Sequence, residues 1–376
     1  MADRKQIPAL RFALPVAIEN MATTTIGLVF SAIIGGISPS ALVAVGTTNQ
    51  MVVLLTSMLS MLSTGAAVLV ARYVGARDRA RTSAAVEQAI GMTGAFSVLI
   101  TIFVIALARP ILHLMLPGAE EALFSEAVVY MRSVMLSFPF LMYYNVLSGV
   151  LRATGNSRTS MYVSIGMNVV QLLCAWLFLK VLRMDMMGAG LAYVVCRLVG
   201  AAAILTMVLR GSDAYSVHWP HILKPDRGMC RKILQVGVPT SFEALSVQVG
   251  YVVTNAMTVG LGTQAAAVAQ VVNTLNSFPC VVHTICTAVT MPIVGQYIGA
   301  RRKDMAMRSA WSIWAVCMSV SLLICLGMAL LGERATRLYT QDAFVASESA
   351  WLLWSMLLYH VFGASINSVD PALKVG

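Results

Sequence analysis

"ARYVGARDRARTSA", Ala71 to Ala84, and "GQYIGARRKDMAMRSA", Gly295 to Ala310, are two versions of one arginine-rich segment. Each follows a long apolar run, and Tyr297 stands 224 residues after Tyr73. Other stretches repeat with nearly the same offset. "LRFALPVAIEN" (Leu10 to Asn20) matches "LQVGVPTSFEA" (Leu234 to Ala244), which aligns Pro15 with Pro239 and Glu19 with Glu243. "VLRATG" (Val150 to Gly155) matches "ALKVG" (Ala372 to Gly376). The chain therefore reads as two copies of one module.

The composition says what kind of module this is. Of 376 residues, 58% are hydrophobic and 11% charged, whereas a soluble domain is charged at about a quarter of its positions. Apolar runs of bilayer-spanning length, roughly 20 residues, recur along the chain. Strand-like alternation is missing, so the spans are helices rather than barrel strands. The fold class is an all-α polytopic membrane protein. The apolar pattern predicts spans at 8–37, 42–71, 85–116, 122–151, 159–183 and 187–210. A polar linker with prolines follows over 211–228, and further spans are predicted at 229–261, 264–298, 307–333 and 343–370.

Basic residues gather in alternate loops. Nineteen of the 26 Lys and Arg fall on the side that holds the N-terminus, six on the other, and Arg197 lies inside the sixth span. The positive-inside rule makes the first side cytoplasmic. The net charge of +10 thus reflects loops that flank spans and gives no reason to expect a nucleic-acid partner. Six spans separate the two arginine-rich segments, so both copies have the same orientation and relate by an axis along the membrane normal. This predicts an N-lobe of six helices (1–210), a cytoplasmic linker (211–228) and a C-lobe of which four helices are seen (229–376). The C-lobe stops at Gly376, where the first copy turns into its fifth span, so two more helices are expected beyond it.

The seven cysteines make no CxxC, and most sit in apolar runs as small hydrophobes. The five histidines make neither HxxxH nor HExxH, so no metal site is expected. The opening residues "MADRKQIPALRFALP" are not those of a cleaved signal.

Taken in order, "LPVAIEN", "ALVAVG" (Ala41 to Gly46), "ARYVGAR", "LRATGNSRTSMY" (Leu151 to Tyr162), "MGAGLAYV" (Met187 to Val194), "VPTSFE", "AAAVA" (Ala265 to Ala269), "GQYIGAR" and "DPALKVG" resemble the MATE family, multidrug and toxic compound extrusion. The resemblance covers essentially the whole chain and rests on the order and repetition of these motifs. It implies two six-helix lobes around a central cleft and a secondary exporter. Such a protein moves organic, often cationic, compounds outward in exchange for H⁺ or Na⁺, without a cofactor. It implies a multi-pass protein of the plasma membrane, a bacterial inner membrane, working as a monomer. Two positions depart from the family pattern: Phe30 and Ala175 stand where many members carry an Asp in spans one and five.

Few ionisable groups remain within the spans. Glu19 and Glu243 each follow a proline by four residues, on the same helical face. A carboxylate at membrane depth costs roughly 2.5–3.5 kcal/mol on insertion scales, so it faces a cavity or a partner. One reading makes both acids carriers of the coupling ion; the other pairs each with a basic loop residue or a helix end. Asn20, Asn49, Gln50, Tyr144, Asn145, Asn168 and Gln171 in the first copy, and Gln248, Asn255, Gln270, Asn273 and His283 in the second, are candidates to line the cleft. Residues of these types also join helices by hydrogen bonds. The 24 methionines serve either as adaptable substrate surface or as apolar filler. Arg197 pairs with a carboxylate or reaches a headgroup.

Three other functions fit less well. A flippase for lipid-linked precursors, built on a related two-lobe architecture, needs a strongly cationic cavity, and intramembrane basic residues are few. A prenyl-transferase-like enzyme needs DDxxD or NDxxD, and neither occurs. A channel has no need of two lobes.

Overall fold

The computed structural model describes residues 9–35, 39–115, 121–222, 224–337 and 342–375. Arg4, Lys5 and Gly376, used above for charge and repeat, lie outside the described residues. The first repeat holds α1 (Ala9–Gly35), α2 (Pro39–Gly75), α3 (Arg79–Ala106), α4 (Ala108–Met115), α5 (Glu121–Leu136), α6 (Phe138–Ala153), α7 (Ser157–Ala175) and α8 (Asp185–Leu209). A short α9 (Trp219–Ile222) lies in the linker. The second repeat holds α10 (Arg227–Gly260), α11 (Thr263–Gly299), α12 (Lys303–Leu331), α13 (Glu333–Thr336) and α14 (Ala343–Val375).

Three predicted spans are broken helices. The third divides at Leu107 into α3 and α4, with Pro110 in the first turn of α4. The fourth bends by 42° between α5 and α6, ahead of Pro139. In both, proline can sit in a first turn because no donor is needed there, and it cannot continue a straight ladder. The fifth ends in a π-helical turn, Trp176–Val181. Among the described residues, seven helices are long and apolar enough to cross a membrane, eight if the bent pair counts as one. α1 and α10 are outside that set. At 1.5 Å per residue they are still roughly 40 and 51 Å long. They carry Glu19, Asn20 and Thr23 in one case and Thr240, Ser241 and Glu243 in the other.

The repeat extends to the backbone. Arg77 and Arg301, equivalent in the two copies, both adopt positive φ, at 58° and 59°. Around them Asp78 N–H donates to Tyr73 O at 3.0 Å, and Arg302 N–H to Tyr297 O at 2.9 Å. This is the bond pattern of a Schellman helix end, which normally takes glycine at the left-handed position. Asp78 then caps α3, its Oδ1 accepting from Arg81 N–H at 3.0 Å.

The two lobes meet through α2, which packs on α10 and α11, and through α1, which packs on α11. At the arginine-rich end the approach is backbone to backbone. A Cβ on Gly75 would sit 2.1 Å from Gln296 O, and one on Gly299 would sit 2.0 Å from Arg72 O. Residues 72 and 75 are the repeat partners of 296 and 299, so the contact is reciprocal about a pseudo-two-fold axis. Farther along, a Cβ on Gly65 or Gly237 would likewise strike Ile233 O or Met61 O, at 2.3 and 2.0 Å. Their repeat partners are Val289 and Ala13. Both pack in the apolar cluster with Val16, Ile285 and Ile293 that joins α1 to α11. So α10 touches α2 directly, whereas α1 meets α11 through side chains. At the other end of these four helices, Gly27, Gly46, Gly250, Gly260 and Gly262 have nothing within 4 Å of such a Cβ. The lobes close together at the arginine-rich end.

Candidate functional site

A cavity of about 380 Å³ lies between the lobes. Ser63, Thr64 and Ala67 of α2 line one side, with Gly149 and Arg152 of α6. Thr287, Ala288 and Met291 of α11 face them, with Thr284, Pro292 and Asn367. Residues 63, 64 and 67 are the repeat partners of 287, 288 and 291, so the cavity straddles the pseudo-two-fold axis. Its wall bonds repeat as well: Ser63 Oγ donates to Asn145 O at 3.3 Å, and Thr287 Oγ1 to Asn367 O at 3.2 Å.

Beside the cavity each repeat forms an ion pair from matching residues. Arg152 Nη1 lies 3.4 Å from Glu19 Oε1, and Lys374 Nζ lies 2.7 Å from Glu243 Oε2. In the aligned segments Arg152 corresponds to Lys374, as Glu19 does to Glu243. The surroundings differ. Glu19 is buried, and Oε1 accepts from Tyr144 Oη at 2.8 Å. Ser160 Oγ is within 3.3 Å of both carboxylate oxygens. Arg152 also donates to Ser148 Oγ at 2.6 Å. In the second repeat Asp370 takes the place of Ser148 and binds Lys374 one turn away, while Glu243 is about half exposed. The first site balances its charges; the second holds two carboxylates against one ammonium.

The candidate lining residues separate into groups. Tyr144 and Asn168 belong to the Glu19 network, Asn168 Nδ2 donating to Thr23 Oγ1 at 3.2 Å. Gln171 hydrogen-bonds Tyr193 inside the N-lobe. Asn20 turns back on its own helix, Nδ2 to Val16 O at 2.8 Å. Asn145 takes part through its backbone carbonyl. Gln248 is part-buried, and Asn255, Gln270 and Asn273 are exposed, on α10 and α11 toward the end opposite the arginine-rich segments. None of the nine lines the cavity described above. His283 is buried within the C-lobe, near Ser321 Oγ at 3.3 Å and His360 Nδ1 at 3.5 Å. His360 Nε2 contacts Asn276 Oδ1 at 2.8 Å. Asn49 is part-buried and Gln50 exposed on α2. Phe30 is buried edge-on against Tyr193, with ring centroids 4.9 Å apart, and Ala175 is buried too.

Sequence reasoning passed over Arg152, Lys374 and Asp370 as site residues, and Ser148 and Ser160 with them. The signal was present: an alignment that pairs Glu19 with Glu243 also pairs Arg152 with Lys374. The linker is more ordered than its composition suggests. His218 N–H donates to Glu87 Oε1 at 2.8 Å, Gln88 Nε2 to Lys224 O at 3.0 Å, and Ser216 N–H to Ser83 Oγ at 3.0 Å. The His218 and His221 rings approach Glu87 to 3.6 and 3.4 Å. Tyr215 is buried beneath the linker, which pushes its hydroxyl pKa up to about 12.

Two same-way helical repeats, closed together at one end around an axial cavity, define a two-lobed membrane transport fold. The sequence model of the MatE family matches residues 15–177 and 239–374, and the chain belongs to that family. It is 24% identical over 371 residues to the uncharacterized transporter YisQ of Bacillus subtilis, covering 94% of this chain and 78% of YisQ. It is 24% identical over 386 residues to NorM of Thermotoga maritima, described as a probable multidrug resistance protein, covering 99% and 81%. It is 22% identical over 354 residues to the multidrug export protein MepA of Staphylococcus aureus, covering 92% and 76%. Among solved structures, an outward-facing multidrug resistance MATE family transporter superposes with a TM-score of 0.86 at 18% identity, covering 98% of this chain and 82% of that one.

Proposed function

We propose that this protein is a secondary active multidrug exporter, moving organic and chiefly cationic compounds outward in exchange for H⁺ or Na⁺. The observation that carries the reading is the axial cavity built from equivalent residues of the two repeats. Arg152 of its wall belongs to the first of two equivalent ion pairs, one in each repeat. With the arginine-rich loops in the cytoplasm, the close contact of the lobes lies on the inward side, as one of the two states of alternating access requires. Multidrug relatives such as NorM and MepA support the substrate class.

In this reading Glu19 and Glu243 carry the coupling ion. A proton or Na⁺ on either carboxylate competes with the Arg152 or Lys374 charge that holds it. Loss of that attraction loosens the closed end. A cation that binds one state better than the other shifts the population by its differential affinity. The cavity's one basic wall residue, Arg152, is paired with Glu19, which fits an organic cation better than the polyanionic headgroup of a lipid-linked precursor. The test is ethidium efflux from proteoliposomes under an imposed Na⁺ or H⁺ gradient. Efflux that follows one gradient and collapses with it supports antiport; efflux indifferent to both refutes it.

A further inference from the structure

Arg197 sits near the middle of α8, twelve residues in from Asp185 and twelve before Leu209. It is only 8% exposed. Among the described residues, no carboxylate is within ion-pair distance of it. Its Nη1 donates to Ser137 Oγ at 2.7 Å, at the break between α5 and α6. Its guanidinium carbon lies 4.6 Å from the Tyr193 ring centroid, on the preceding turn. These contacts orient the group without neutralising it, since a guanidinium carries five donors and a buried charge without a counter-charge is strongly disfavoured. A neighbour is also unsatisfied. Tyr130 on α5 lies two helical turns before Ser137 and on the same face; it is fully buried, and its hydroxyl has no hydrogen-bond partner. A positive fork and an idle O–H donor thus share one interior region, walled by Phe30 and Tyr193.

We propose that Arg197 and Tyr130 form an anion site inside the N-lobe, which takes a monovalent anionic group. That group is chloride, or the carboxylate or sulfonate of a molecule the protein handles. The anion supplies the missing counter-charge and accepts from the Tyr130 hydroxyl, while Ser137 and Tyr193 hold the guanidinium in place. Charge selects the ligand here, because the guanidinium and the Tyr130 hydroxyl are both donors. The site is independent of the export reading, since binding is measured without any flux.

The experiment follows thermal unfolding of the purified protein in detergent, with chloride exchanged for gluconate at constant Na⁺ and ionic strength. Saturable stabilisation by chloride is expected for the wild type and for Arg197→Lys. Arg197→Gln should abolish it in protein that remains monodisperse. Tyr130→Phe, which removes one bond to a charged ligand, should weaken the apparent affinity at least about tenfold. Benzoate and naphthalene sulfonate form the second arm. If they stabilise the protein and displace chloride, the site accepts anionic groups of organic molecules; if chloride alone acts, it is an inorganic-anion site. If Arg197→Gln does not fold, Tyr130→Phe decides the matter, and an affinity equal to wild type overturns the proposal. So does a wild type indifferent to every anion tested.

Discussion

The Glu243 carboxylate lies 2.7 Å from the Lys374 ammonium, bridging the first and fourth long helices of the second repeat. The first repeat makes the same bridge with Glu19 and Arg152 at 3.4 Å. Duplicated sequence has produced duplicated electrostatics, with one substitution that matters: Ser148 in the first copy is Asp370 in the second. Removing the carboxylate charge therefore leaves Lys374 a second anionic partner and Arg152 only hydroxyls. The two sites have different tasks available to them despite a common origin.

Transport should depend on both acids. Glu243→Gln is expected to lower gradient-driven efflux at least about tenfold, equivalent to roughly 1.4 kcal/mol in the coupled step, and Glu19→Gln to lower it as well. Rates are compared in proteoliposomes with matched protein levels. Wild-type rates in both single variants and in the double variant would remove these carboxylates from the coupling mechanism.

Stability should separate the two sites. Glu19→Gln leaves a mostly buried Arg152 without its counter-charge, at a cost of about 1–3 kcal/mol. Glu243→Gln should cost well under 1 kcal/mol, because its carboxylate is about half exposed and exposed pairs contribute little. Thermal unfolding in detergent measures both, and the Glu19→Gln, Arg152→Gln double variant should lose less than the sum of its singles.

Closure at the arginine-rich end rests on missing side chains. Gly75→Val would place a branched side chain where a Cβ already falls 2.1 Å from Gln296 O, so α11 must move off α2. The expected result is easier entry to the axial cavity from that end. Alkylation of Thr287→Cys by a thiol reagent, in a cysteine-free background, should speed up several-fold when Gly75→Val is added. An unchanged rate would mean the glycine contact does not govern closure.

Topology is tested at the two left-handed arginines. Cysteines at positions 77 and 301 should both resist an impermeant thiol reagent applied outside intact cells, because both follow an even number of spans on the basic side. Labelling of one alone would break the parallel arrangement of the repeats.

The linker should loosen when its anchors are removed. Glu87 accepts the His218 N–H, and Gln88 holds the Lys224 carbonyl. Glu87→Ala with Gln88→Ala should expose the chain to trypsin at Arg227, with cleavage several-fold faster than wild type on a gel time course. An equal rate would show that the linker is held by apolar burial of Tyr215 and Ile222 instead.

The amino-acid sequence by itself determined the all-helical membrane class, the duplication, the common orientation of the copies and the equivalence of Glu19 with Glu243. These rest on hydropathy, loop charge and repeated motifs, properties carried along the chain and readable without knowing which helices touch. Helix breaks at Ser137 and Leu107 were half legible, since Pro139 and Pro110 were visible, but apolar runs pass through both. Only the tertiary structure decided partners. Helical periodicity tells which residues share a face; it does not tell which neighbour that face meets. Hence the sequence does not show that Asn20, a candidate for the cleft, bonds its own backbone, or that Arg152, counted as a loop charge, closes on Glu19 from 133 positions away. Among the described residues no carboxylate pairs with Arg197, whose contacts are Ser137 at the α5–α6 break and Tyr193 on α8. Segments so far apart in the chain are brought together only by packing, and their chemistry exists only once the lobe has closed around them.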